Sequence, residues 1–277
     1  MLPRAATLAC ALMLAWVAAG CGGDALPPAR DGSVVIWAVG DGGVDNDASR
    51  AVAGLIERDD PSRVLYLGDV YETGSPEEFA TFADVFGPLV KRTWPTPGNH
   101  EWPAHADGYD PFWRKTLGRE LPHAYSRTVA GWKLISANSQ TPDDPAQLRW
   151  LRDQTAGGGT CRIAFWHRPR FNAGEHRDEQ RDVAAMWNAV KGRAAILLSG
   201  HDHDMQRFRP IDGTVQYVSG AGGKSHYAVD RSDPRLAFSD SRADGALRIA
   251  LRPGSADLRF VSTAGDVLDR STVRCRG

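Results

Sequence analysis

The chain has 277 residues, 42% hydrophobic and 24% charged, which is too apolar for disorder and long enough for one large or two small domains. Its 33 Lys and Arg against 34 Asp and Glu leave a formal charge of -1, so no electrostatic footprint for nucleic acid exists. Four cysteines are too few for a disulfide scaffold, and their positions say more than their number.

Residues 1–21 place Arg4 before an apolar run that ends at Ala18, Ala19, Gly20 and Cys21. This is the layout of a secretory signal, and it is short for a transmembrane span. The segment resembles a bacterial lipoprotein signal, although Ala18 stands where a larger aliphatic residue is usual. The resemblance implies a signal peptide over 1–20, acylation at Cys21, a tether over 21–32 and a membrane-anchored, exported domain over 33–277. Ordinary secretion and a retained anchor helix are the alternatives. Processing would remove Cys10 and leave Cys161 and Cys275 as thiols outside the reducing cytosol. A bridge between them would pin the terminal strand to the core strand beginning near Cys161. Two inert buried thiols are the competing reading.

Residues 34–39 form an apolar run that ends at Gly40-Asp41. Ala48, Ala51, Val52, Leu55 and Ile56 then recur at helical spacing, with Asp47 as the expected cap. A strand over 64–67 ends at Gly68-Asp69. Pro76 suits the first position of a second helix, with Glu77 and Glu78 in its first turn and Phe79, Phe82, Ala83 and Phe86 as its buried stripe. A short strand over 94–96 runs into Gly98-Asn99-His100-Glu101. Trp102, Tyr109, Phe112 and Trp113 follow, either lining a cleft or packing as a small loop.

Strands over 124–128 and 132–137 read as a hairpin, and residues 145–154 as a helix. The strand over 162–166 ends at His167. Val183, Met186, Trp187 and Val190 share one helix face, and the strand over 194–198 leads to Gly200-His201. From Gln206 the pattern changes to strands: Leu247, Ile249 and Leu251 alternate, Pro253-Gly254 turns, and Leu258 and Phe260 alternate again. Helix–strand alternation followed by hairpins predicts one mixed α/β sandwich without a second-domain boundary.

Five successive strands therefore end in metal-capable residues: Asp41, Asp69, Asn99-His100, His167, and His201 with His203. Strand ends are where α/β sheets place ligand sites. An Asp there is often only a helix cap, and a lone His is more often structural than ligating. Five in register, holding half of the eight histidines, form a coherent set. Anionic oxygens, neutral imidazoles and one bridging carboxylate are what two neighbouring cations require, and such a pair can activate a bridging hydroxide and clamp the phosphoryl oxygens of an in-line displacement.

The ordered segments GDGG, GDVYETG, GNHE, FWH and GHDHD strongly resemble the calcineurin-like metallophosphoesterase superfamily, especially its purple acid phosphatase-like branch. The resemblance implies a four-layer α/β/β/α sandwich with mixed sheets and a phosphate ester hydrolase using a metal-activated hydroxide. Asp41 would ligate the first metal and Asp69 would bridge both. Asn99, His167 and His201 would hold the second, and His203 would return to the first. His100 would contact the phosphate and help protonate the leaving group; its other reading is a hydrogen bond to a carboxylate. Glu101 reads as solvated or supporting rather than ligating.

Gly43 stands where many superfamily members carry a ligating His. The acid phosphatase-like branch compensates with a tyrosine three residues after the bridging Asp, whereas Tyr71 is only two after Asp69. An extended chain would keep both on one face, and a shortened loop would turn Tyr71 away. With Tyr71 as ligand the pair would be Fe(III) and a divalent Fe, Zn or Mn; otherwise two divalent ions. Arg168 and Arg170 are candidates for substrate charge, or solvated rim residues. His105, His123, His176 and His226 read as structural or surface.

Gly223-Lys224-Ser225 is no P-loop, since Val218 occupies the required first glycine; close backbone packing near the metals is the better reading. Ser199-Gly200 and Ser219-Gly220 lack the GxSxG elbow of serine hydrolases. The leading expectation is a phosphomonoesterase acting on a small phosphate ester. A phosphodiesterase of the same superfamily is the runner-up, and a non-enzymatic surface lipoprotein the remote third. Neither nucleic acid nor an obligate protein partner is expected.

Overall fold

The computed structural model describes residues 32–276, so the signal, Cys21 and nearly all of the tether reading lie outside the described residues. Strand β1 (Val34–Val39) is buried on both faces and is correspondingly apolar throughout. It is followed by α1 (Asp47–Arg58), β2 (Arg63–Tyr66), α2 (Pro76–Phe86) and β3 (Thr93–Pro95). The cap of α1 is Asn46 rather than Asp47: Asn46 Oδ1 accepts from Ser49 N at 2.7 Å. Asp47 instead occupies the first helical turn, where its charge meets the positive end of the helix dipole. Helix α2 begins as expected, with a reciprocal capping box between Ser75 and Glu78.

Of the four aromatics after GNHE, Trp102 sits in a short 3-10 turn beside a cleft. The other three lie in α3 (Tyr109–Leu117), not in a loop, and α3 buries Tyr109 and Trp113 in the aromatic cluster around Phe79 and Phe82. The hairpin β4 (Tyr125–Val129) and β5 (Trp132–Ser136), helix α4 (Pro145–Gln154), β6 (Arg162–Phe165), α5 (Ala184–Val190) and β7 (Ile196–Ser199) come next. Six strands close the chain: β8 (Met205–Phe208), β9 (Val215–Ser219), β10 (Leu236–Asp240), β11 (Gly245–Arg252), β12 (Ser255–Ser262) and β13 (Val267–Arg274).

Two mixed sheets result. One runs β13-β12-β11-β1-β2-β3 and the other β10-β8-β9-β7-β6-β5-β4. Period-two alternation sorts the apolar residues between layers. Ile36, Ala38, Leu65, Ile163, Phe165, Leu247 and Ile249 fill the space between the sheets. Val35, Trp37, Val64 and Tyr66 face α1, α2 and α3, while Ala164, Leu197, Met186 and Trp187 pack on the opposite outer side with α4 and α5. The order is therefore helix, sheet, sheet, helix. Among the described residues no helix is long and apolar enough to cross a membrane.

The late strands belong to the same body, because β11 pairs antiparallel with β1 from Val34–Leu251 to Ala38–Leu247. Cys161 and Cys275 are joined, with Cα atoms 4.9 Å apart. The bond ties the end of β13, an edge of the first sheet, to the entrance of β6 in the second. Spanning 114 residues, it limits the unfolded chain by about 5 kcal/mol on a loop-entropy argument.

Candidate metal centre

Strands β1, β2 and β3 are parallel in one sheet, and β6 and β7 in the other. Their C-terminal ends deliver Asp41, Asp69, Asn99, His167 and His201 to one edge of the sandwich. Asp41 (φ 62), Asp69 (φ 66) and His201 (φ 75) all adopt the left-handed conformation. Such backbone is costly outside glycine and concentrates where function over-determines it. Two glycines allow the loops to close. A Cβ on Gly98 would lie 2.0 Å from Asp69 Oδ1, and one on Gly200 would lie 2.4 Å from Asp41 Oδ2.

Each buried carboxylate has one oxygen fixed by a backbone amide. His201 N donates to Asp41 Oδ2 at 2.8 Å, and His100 N donates to Asp69 Oδ1 at 3.0 Å. The other oxygens face inward. Around Tyr71 Oη stand Asp41 Oδ1 at 3.0 Å, Asp69 Oδ2 at 3.1 Å and His203 Nε2 at 2.8 Å. Around His167 Nε2 stand Asn99 Oδ1 at 2.9 Å, His201 Nδ1 at 3.1 Å and Asp69 Oδ2 at 3.3 Å. Asp69 Oδ2 belongs to both groups. All seven residues expected as ligands converge, and Tyr71 turns inward despite its shortened spacing.

The donor set fits two cations. Donors about 2.1 Å from a metal and at right angles lie about 3 Å apart, the separation seen here. The imidazoles are also set for coordination. His167 Nδ1 lies 2.8 Å from the Leu67 carbonyl and His203 Nδ1 lies 2.8 Å from the Ser225 carbonyl. A carbonyl only accepts, so Nδ1 carries a proton and Nε2 is the ring nitrogen turned toward the centre. His201 is reversed, with Nε2 3.1 Å from Glu179 Oε2 and Nδ1 inward. Tyr71 has one proton to offer three acceptors, a crowding that a cation resolves.

Electrostatics agree. Burial pushes the Asp41 carboxyl well above the usual range, despite the countering charge of His167. Burial acts the same way on Asp69, yet His167 and His100 together hold it below the usual range. Burial opposes a charged His167, but Asp69 and Asp41 outweigh it and raise the imidazole to about 9. The carboxylates thus draw positive charge to this spot. Burial lowers His201 and His203 to about 4, keeping both neutral and available as ligands.

His100 stands beside the centre, its side chain one-third exposed. Nδ1 lies 2.6 Å from the Glu72 carbonyl, and Nε2 is 3.8 Å from Asp69 Oδ2. Glu101 supports rather than ligates. It is buried, and its carboxylate accepts from Asp69 N at 3.1 Å, Val70 N at 3.1 Å and Gly98 N at 2.8 Å, joining the β2 and β3 loops. Burial and the neighbouring Asp69 raise it to about 7. Gly42 bridges to Gly223, so the glycine run is the close backbone packing expected of it. Arg168 pairs with Glu179 and Asp182, while Arg170 covers the Phe171 ring at 4.7 Å.

Three residues near the centre escaped the sequence reading, and a fourth, His176, was read only as structural or surface. His176 packs on His201 with ring centroids 4.2 Å apart and holds Asp202 Oδ1 at 2.8 Å; Tyr227 stacks on His203 at 4.1 Å. Glu179 orients His201, and Asp202 is fully buried behind them. Glu179 lies in the 3-10 turn Arg177–Arg181 and the other three in irregular backbone. Their only signal was position: His176 and Glu179 in the connection after His167, Asp202 within GHDHD, and Tyr227 just beyond the glycine run.

A two-sheet sandwich with a dimetal-type donor set at its strand ends is the architecture of a metallophosphoesterase. The calcineurin-like phosphoesterase family matches residues 34–205, and the chain belongs to it: a metal-dependent phosphoester hydrolase of a dimetal family. No curated protein matches. The fold is similar to that of GAP50, the anchor in the inner membrane complex of Plasmodium (TM-score 0.73, 14% identity, 88% of this chain and 90% of that one). It is also similar to a purple acid phosphatase from yellow lupin seeds (TM-score 0.72, 15% identity, 90% of this chain). Only 55% of the lupin chain is covered, so this chain spans about half its length. A dimetal phosphatase from Danio rerio aligns with a TM-score of 0.59 and 13% identity over 87% of this chain and 98% of that one.

Proposed function

We propose that the protein is a phosphomonoesterase of the acid phosphatase type. Asp41, Asp69, Tyr71 and His203 would hold the first metal, and Asp69, Asn99, His167 and His201 the second. The observation carrying this reading is the Tyr71 phenol oxygen, which stands within 3.1 Å of Asp41, Asp69 and His203. A phenol between two carboxylates suits a hard trivalent ion, so Fe(III) is assigned to the first position and divalent Fe, Zn or Mn to the second. The likeness in fold to a purple acid phosphatase supports the same reading.

When bound, the two metals supply Lewis acidity toward the phosphoryl oxygens and a water nucleophile at neutral pH. The remaining tasks fall to the chain. Glu72 fixes the His100 ring through its carbonyl, leaving Nε2 toward the centre. In its imidazolium form His100 donates the Nε2 proton to the departing oxygen, and contact with the phosphate precedes that step. Lys224, 4.5 Å above the Tyr71 ring and paired with Glu72, adds positive charge to the same rim.

The test is metal quantification with visible absorption, alongside mono- and diester hydrolysis. Two metals, a phenolate-to-iron absorption band that Tyr71→Phe removes, and faster monoester turnover are expected. A preference for diesters would replace the assignment with a phosphodiesterase.

We also propose export and anchoring through acylated Cys21. The Cys161–Cys275 bond supports a location outside the reducing cytosol. Cys21→Ser should move the protein from the membrane to the soluble fraction, and an unmodified Cys21 on a membrane-free protein would refute the anchor.

A further inference from the structure

Outside the centre, three side chains from separate segments meet around one carboxylate. His105 ends the short 3-10 turn Trp102–Ala104 after β3, Asp110 lies in the first turn of α3, and His123 precedes β4. We propose that His105, Asp110 and His123 form an independent mononuclear site for zinc. The donor set of two imidazoles and one carboxylate is a zinc set, with solvent completing the coordination.

The geometry supports this directly. Asp110 divides its oxygens between the two rings: Oδ2 lies 2.8 Å from His105 Nδ1, and Oδ1 lies 2.8 Å from His123 Nε2. One ligand atom from each residue falls within 4.8 Å of the others. The rings are nearly perpendicular, at 80° with centroids 5.0 Å apart. Packing holds them there. Trp102 lies flat against His105 at 4.2 Å and meets His123 edge-on at 4.9 Å. Asp110 N also donates to the His105 carbonyl at 2.8 Å, fixing the two segments against each other.

The site is also open to an ion. The three side chains remain about one-third exposed, at 30%, 29% and 34%. His123 and Trp102 line a cleft of about 460 Å³, which gives an ion an entry path and room for water. The ring nitrogens that face Asp110 are the atoms that would turn to zinc. No residue is shared with the centre around Asp69.

The experiment uses the full chain with its dinuclear centre already loaded, titrated with zinc alone by calorimetry and followed by thermal unfolding. One further equivalent with a rise in unfolding temperature is expected. Asp110→Asn, which keeps the size and most hydrogen bonds of the carboxylate, and His123→Gln should each remove that equivalent while the dinuclear metal content and ester hydrolysis persist. No further equivalent in the unsubstituted protein, or its survival in both variants, would overturn the proposal. His201→Ala separates the two sites. Retention of the extra equivalent there supports independence, and its loss would assign the ion to the dinuclear centre and end the proposal.

Discussion

The donor group around Tyr71 and the donor group around His167 share Asp69 but differ in charge. The first offers Asp41, Asp69, a phenol and one imidazole; the second offers an amide, two imidazoles and the shared carboxylate. Their supports differ as well. Asp41 is held by an amide from the second sheet's loop, whereas His167 leans on a carbonyl of the first sheet. Each group is therefore completed across the gap between the sheets. On the proposed assignment, the anionic group takes the more highly charged ion and the imidazole-rich group takes a divalent one.

The substitution that should most damage this comparison is Asp69→Asn, since Oδ2 serves both groups. Ester turnover should fall by about 10³-fold or more, roughly 4 kcal/mol of transition-state stabilisation, with both metals lost on dialysis. Steady-state kinetics with metal analysis checks it; retention of one metal would mean that Asp69 does not bridge. His100→Ala comes next. It leaves both groups intact, so metal content should hold while turnover drops by about 10² on esters with poor leaving groups and less on good ones. An equal loss on both substrate classes would make His100 a binding residue only.

Glu179→Gln tests the second group alone. It keeps a partner for His201 Nε2 but removes the charge, and affinity for the more weakly held metal should fall about tenfold. Equilibrium dialysis that finds both metals equally weakened would erase the distinction between the groups.

The smallest change is expected from pH acting on metal-stripped protein. His201 and His203 are lowered to about 4 by burial, so between pH 6.5 and 4 the unfolded chain binds more protons. Their contribution is present above about pH 6.5 and lost as pH falls toward 4. His167, raised to about 9, acts in the opposite sense: its contribution is complete below about pH 6.5 and lost as pH rises through 9. Asp41 and Glu101, raised by burial, act against the two lowered histidines over the same range, so the test is a difference between proteins. The stability gap in urea between the stripped protein and its His203→Ala variant should grow in favour of the unsubstituted chain as pH rises from 4 to 6.5, and a gap that does not change with pH would contradict the lowering of His203.

Much of this was legible in the residues. Helix α2 follows from Ser75, Pro76, Glu78 and the Phe79/Phe82/Phe86 stripe, because capping and amphipathic spacing are local properties. The candidate ligands at the strand ends were legible for a related reason: each follows a short apolar run and usually a glycine. Helix α3 was not, because aromatic residues in a short polar segment have no clear period until Phe79 and Phe82 supply the surface that buries them. Asn46 displaced Asp47 as the cap of α1 by a single position, a choice settled by backbone geometry. Glu101 sat beside a motif that marked it as solvated or supporting, and only folding revealed the three amides it gathers.

What the sequence alone determined was the ordered set of ligand types at successive strand ends, and with it the family and the chemistry. Those choices are local, since a strand, a turn and a ligand are adjacent in the chain. The direction of Tyr71, the joining of Cys161 to Cys275 and the meeting of His105, Asp110 and His123 were decided by tertiary structure. Each depends on segments that approach only when the two sheets and their helices pack, where burial and shared partners fix a side chain that local sequence leaves free.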